Sequence, residues 1–149
     1  MLSWTADAAP GSQTVYLEIR DLSTPDEFIL QIRVSEVADL YGVALDVVYP
    51  SNALEFQPDD TDAGDFFPAN DTFDTELQIV EEPDGRLIIG YTRLGEVRGR
   101  TGSGLLLLLR FTTTADGSSD ISIENRLAVD REGTPVPTTW LGGTVQVQR

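Results

Sequence analysis

The 149-residue chain has no cysteine and no histidine, and all ten of its basic residues are arginine, so it has no lysine either. Each absence removes a class of chemistry. Without Cys there is no disulfide scaffold, thiolate nucleophile or Cys-ligated zinc. Without His the usual general base and the commonest metal ligand are gone. Without Lys there is no Schiff-base chemistry. An enzyme would have to work with carboxylates, Ser, Thr or Tyr, and no convergent carboxylate pair stands out among the 25 acidic residues. The expectation is a protein without catalytic residues, resident metal or cofactor.

Positive charge is also scarce. A formal charge of -15 argues against nucleic acid, whose phosphates need clustered Lys and Arg, and against anionic membrane surfaces. No apolar window approaches the ~18 residues of a membrane-spanning helix. The opening MLSWTADAAPGSQ has neither a basic n-region nor a hydrophobic h-region. It is expected to be a flexible tail over residues 1–13, followed by a single domain over 14–149 that looks excised from a longer chain. A chain of this length buries roughly 68–70% of its unfolded surface in one core.

Helical periodicity is missing; short alternating runs broken by Gly, Pro, Asp and Ser recur instead. In TVYLEIR (14–20), Val15, Leu17 and Ile19 share a face, and in FILQIRV (28–34) Phe28, Leu30, Ile32 and Val34 do. VALDVVY (43–49) sets Val43, Leu45, Val47 and Tyr49 against Ala44, Asp46 and Val48, and Pro50 ends it. ALEF (53–56) is a short strand, and QPDDTDAGDFFPANDT (57–72) reads as a long acidic loop. LQIVEEPDGRLIIGYTR (77–93) reads as a hairpin with Pro83-Asp84-Gly85 at its tip. LIIGY is apolar on both parities, so the direction of Tyr91 stays open. ISIENRLAV (121–129), TTW and TVQVQ (144–148) complete an all-β, two-sheet sandwich.

The most unusual stretch is GSGLLLLLRFT (102–112), with five leucines in a row. Five residues are too few for a helix core, and glycines precede them, so the run reads as a central strand. Simple alternation turns Leu105, Leu107, Leu109 and Phe111 inward and Leu106, Leu108 and Arg110 outward. Exposed leucines at 106 and 108 would mark a contact site, unless a loop folds over them.

Several blocks resemble cohesin domains, the receptor modules of cellulosomal scaffolding and cell-surface anchoring proteins. YGVALDVVYPSNALEF (41–56) matches the family pattern at Gly42, Tyr49, Pro50, Leu54 and Phe56, though the family's Asp before Pro is missing. DGRLIIGYTRLG (84–95), GSGLLLLLRFT (102–112) and GGTVQV (142–147) follow in the family's order over about 14–148. The resemblance implies a jelly-roll-like sandwich of about nine strands that binds calcium-loaded dockerin modules outside the cell or at its surface. It implies a docking platform on one sheet, built from the third, fifth, sixth and eighth strands. With VALDVVY similar to the third strand and the leucine run to the sixth, the partner-binding candidates are Ala44, Asp46, Tyr91, Leu106, Leu108 and Arg110. Gly42 and Ala44 stand where well-studied cohesins carry Asn and Asp, so recognition is expected to be more apolar.

Two other sites are weaker. DDTDAGD (59–65) supplies Asp59, Asp60, Asp62 and Asp65, but Gly64 occupies a ligand place of an EF-hand loop and Asp65 its glycine place. A solvated acidic segment is expected there, with calcium belonging to the partner. The competing function is a carbohydrate-binding module, which needs exposed planar aromatics. Of the two tryptophans, Trp4 falls in the expected tail and Trp140 reads as core.

Overall fold

The alternating runs form two packed β-sheets in the computed structural model, which describes all residues except 21–23, 68–73 and 96. The strands are β1 (Leu2–Ala6), β2 (Thr14–Arg20), β3 (Glu27–Leu40), β4 (Gly42–Val48), β5 (Leu54–Ala63) and β6 (Asp74–Glu82). They continue with β7 (Arg86–Leu94), β8 (Arg100–Thr113), β9 (Gly117–Val129), β10 (Thr139–Leu141) and β11 (Gly143–Val147). One sheet has the order β1-β11-β9-β4-β7-β6 and the other β10-β2-β3-β8-β5. This is the expected all-β sandwich. Among the described residues there is no helix, and hence none long and apolar enough to cross a membrane.

Apolar residues of alternating parity from both sheets fill the space between them, as sandwich packing requires. Val15, Leu17, Phe28, Leu30 and Ile32 of one sheet meet Leu45, Val47, Leu87 and Ile89 of the other in one buried cluster. Phe111 sits among three aromatic rings, with centroids 5.5 Å from Phe28, 5.0 Å from Tyr49 and 5.6 Å from Phe56. Burial pushes the Tyr49 phenol up to about 12, helped by the nearby carboxylates of Glu81, Asp84 and Glu55. The β6–β7 hairpin turns at Pro83-Asp84-Gly85 as expected. Gly85 has φ +96°, and a Cβ there would run into the Tyr49 carbonyl oxygen.

Three expectations change. The N-terminal residues 2–6, read as part of a flexible tail, form β1, paired with β11 from Leu2↔Val147 to Ala6↔Gly143. Leu2 is buried and Trp4 packs against the core. The acidic stretch begins as strand: residues 57–63 belong to β5, with a register shift between Gln57 and Asp62, while 68–72 lie outside the described residues. Among the described residues the strand count is eleven rather than about nine.

The leucine strand departs in phase as well. Its pairing with β3 runs Ile32↔Leu107 and then Arg33↔Leu105, leaving Leu106 as the extra residue of a β-bulge. Past a bulge the two faces exchange. Leu107, Leu109 and Phe111 point inward as expected, but Leu105 pairs beside Arg33 and is only half-buried. Leu106, expected to be exposed, is 0% exposed and part of the core.

Candidate docking face

The sequence candidates do not share one surface. VALDVVY forms β4 in the six-stranded sheet, whereas the leucine run forms β8 in the five-stranded one. Strand parity says which residues of a strand share a side, but not which sheet the strand joins. Leu108 and Arg110 project from the outside of the five-stranded sheet, opposite to the side that carries Ala44 and Asp46. There Leu108 is half-buried, and Arg110 pairs with Glu27 at 3.1 Å and Asp60 at 3.8 Å. Tyr91 points into the core, 1% exposed, with its ring 5.2 Å from Phe67. Burial pushes its phenol up more than the hydrogen bond with Thr75 pulls it down. Only Ala44 is both outward and exposed.

The outer face of β9, β4, β7 and β6 can be reconstructed from register. One row across the strands is Val129, Gly42, Thr92 and Glu76, and the next is Leu127, Ala44, Gly90 and Gln78. Below them lie Glu124, Asp46, Ile88 and Val80, then Ser122, Val48, Arg86 and Glu82. In the upper two rows the small residues Gly42, Ala44 and Gly90 form the floor of a groove of about 300 Å³, with Leu127 and Val129 on one side and Glu76 and Gln78 on the other.

Apolar exposure is concentrated here. Among the described residues, apart from the terminal Met1, the exposed large hydrophobic residues are Val80 at 56%, Ile88 at 40%, Leu94 at 39% and Leu127 at 46%. All four project from this face. Leu127 reaches it through a second bulge: β4 advances from Ala44 to Asp46 while β9 advances from Leu127 to Glu124. Asn125 takes the strained positive φ of 47° there. Simple alternation from Ile121 and Ile123 would have sent Leu127 into the core. Instead Ala128 is buried and Leu127 faces out.

Asp46 faces outward but is 6% exposed, because its neighbours cover it. Its Oδ2 accepts hydrogen bonds from Arg86 Nη1 and from Asn125 Nδ2, both at 2.7 Å. Arg86 also donates to Glu124 at 3.1 Å and lies 4.0 Å from Glu82. The hydrogen bonds with Asp46 and then Glu124 raise the Arg86 pKa above its ordinary value. Asp46 is therefore a positioning residue: it holds Arg86 against the sheet and fixes the bulge through Asn125. Nothing in this arrangement resembles a nucleophile–base pair. Among the described residues no group of three acidic side chains is placed to hold a metal ion.

No protein-family model matches the sequence, and no curated protein is similar to it. Solved structures are similar. The sixth cohesin of scaffoldin B from Acetivibrio cellulolyticus, solved in complex with a mutant Cel5 dockerin, superposes with a TM-score of 0.74 at 18% identity, over 93% of this chain and 100% of that one. The chain has the cohesin fold. A type II cohesin domain from the cellulosome of the same organism gives 0.74 at 11% identity, over 91% of this chain and 95% of that one. A non-cellulosomal cohesin from the hyperthermophilic archaeon Archaeoglobus fulgidus gives 0.66 at 19% identity, over 89% of each chain. The cohesin fold accounts for the sandwich.

The sequence reading missed Val80, Ile88, Gly90, Leu94 and Leu127. For the β7 residues a signal was available. The Pro83-Asp84-Gly85 turn pairs Glu82 with Arg86, and counting from there puts Leu87, Ile89 and Tyr91 on one face and Ile88, Gly90 and Thr92 on the other. The set containing a glycine is the poorer core. For Leu127 there was no such count, because the bulge at Asn125 is not written in the alternation.

Proposed function

We propose that this chain is a non-catalytic interaction module that binds a dockerin-type partner through the outer face of β9, β4, β7 and β6, in an extracellular or cell-surface assembly. The observation that carries this reading is that Val80, Ile88, Leu94 and Leu127 all project from that one face. Uncovered aliphatic groups on an otherwise acidic molecule gain free energy when a partner removes them from water, at roughly 25 cal/mol per Å² of apolar area. The fold supports the choice of partner, since cohesins with this architecture have been solved in complex with dockerins. Calcium would belong to the dockerin. Direct polysaccharide binding, the competing expectation, needs planar rings on the surface, and no aromatic side chain stands in the four rows of this face.

The test sets a panel of dockerin modules beside cellulose and soluble glycans, with wild type and Ile88→Asp as bait. Capture of a dockerin by wild type and its loss in a folded Ile88→Asp protein is the expected result. Retention on glycan and on no dockerin would overturn the reading.

A further inference from the structure

Gly90 has no reason within the fold to be glycine. It sits in the middle of β7, paired on one side with Ala44 and on the other with Gln78. Glycine inside a strand weakens it and marks places where something approaches the backbone closely. Its φ is not in the left-handed region, and a Cβ built there meets no atom within 4 Å. Gly64 and Gly85 differ, since a Cβ would collide with the backbone carbonyl of Leu105 or Tyr49. At Gly42 it would come 2.9 Å from Thr92 Oγ1. Space above Gly90 is kept open, and that space is the groove.

The chemistry of the groove narrows its occupant. Its floor strands β4 and β7 are paired on both sides, so no strand can be added there. The four rows carry no aromatic side chain to stack against a sugar or a proline-rich segment. The four rows carry the carboxylates of Asp46, Glu76, Glu82 and Glu124 against the single guanidinium of Arg86, which Asp46 and Glu124 already hold. A second copy of this chain would bring acid against acid. A basic partner would complement the rim.

Resting on the reading of this face as a docking surface, we infer that the groove over Gly90 receives one bulky aliphatic or aromatic side chain from a basic protein segment. Arginine or lysine residues on either side of that anchor meet Glu76 at one end and Glu82 and Glu124 at the other. The missing side chain at Gly90 makes room for the anchor, so position 90 sets the size of residue the partner presents.

The probe is a phage-displayed library of random twelve-residue peptides, selected on the immobilised full chain and counter-screened on Gly90→Leu. The selected peptides are expected to carry a bulky apolar residue flanked by Arg or Lys. They should bind Gly90→Leu about thirtyfold or more weakly, the loss typical of a blocked interface anchor. Glu76→Gln should weaken them several-fold and flatten the salt dependence, and Gly90→Leu should melt no lower than wild type. No enrichment, acidic or wholly polar winners, equal binding to Gly90→Leu, or a marked drop in its melting temperature would each overturn the inference. The two proposals separate cleanly. A dockerin that loses binding to Ile88→Asp but not to Gly90→Leu sinks the groove alone. Basic peptides that need Gly90, with no dockerin bound, sink the dockerin reading alone.

Discussion

The two outer faces of this sandwich carry similar raw materials and treat them differently. On the five-stranded sheet, Ile29, Leu105 and Leu108 point outward but are only half-exposed. Arg33, paired with Glu18 at 3.8 Å, and Arg110, paired with Glu27 and Asp60, lie among them. Long arginine stems cover aliphatic surface while their heads stay in water. On the outer face of the six-stranded sheet Arg86 is tied down at one end by Asp46, and the aliphatic residues beyond it stay uncovered. An apolar residue on a sheet is therefore a poor sign of a contact site. What counts is whether a neighbouring side chain already covers it.

The largest expected effect tests the phase of the leucine strand. Leu106→Asp should unfold the domain, with a loss of more than about 4 kcal/mol, because it places a charge with no partner in the core. A melting curve like that of wild type would put Leu106 outside and undo the bulge. Next comes a direct contrast of the faces. Ile88→Asp should cost about 2 kcal/mol or more of partner binding, measured by titration calorimetry, and leave the melting temperature nearly unchanged. Leu108→Asp on the other face should leave binding intact; if it abolishes binding instead, the docking face has been placed on the wrong sheet.

Smaller effects sharpen the picture. Arg86→Met leaves the Asp46 carboxylate, 8% exposed as a side chain, with Asn125 as its remaining hydrogen-bond donor. It should cost about 1–3 kcal/mol in urea unfolding. Arg110→Met, which removes exposed pairs and keeps the aliphatic stem, should cost less than about 1 kcal/mol. Alkaline titration probes the core between the faces. The raised Tyr49 pKa means that the folded state holds its phenol proton more tightly than the unfolded chain. That stabilisation is complete below about pH 10 and is lost as pH rises through about 12. Tyr49→Phe should flatten the fall in stability over that window, and an unchanged slope would mean that other groups cause it.

Most of the architecture could be read from the chain because strand alternation is a local consequence of backbone geometry. Val15, Leu17 and Ile19, or Val43, Leu45 and Val47, share a face whatever surrounds them. The site could not be read in the same way. Leu105 and Leu106 were assigned to the wrong sides for one reason, the bulge at Leu106, which exchanges the two faces of the strand, and the bulge at Asn125 turns Leu127 out in the same way. A bulge is decided by the partner strand and by side chains from elsewhere, such as Asp46 bonding Asn125 across 79 residues of sequence. Sheet membership is equally remote from local pattern, which is why β4 and β8, expected in one sheet, lie in opposite sheets.

By itself the sequence determined the exclusion of histidine, cysteine and lysine chemistry, the β-sandwich class, the hairpin at Pro83-Asp84-Gly85 and the acidity that a partner must match. These depend on which atoms are present and on interactions between near neighbours. Only the tertiary structure decided which sheet each strand joins, where the bulges at Leu106 and Asn125 fall, and that Ala44 rather than Leu106 belongs to the exposed face. Those depend on pairing between distant segments, where one extra residue exchanges the inside and outside of a strand.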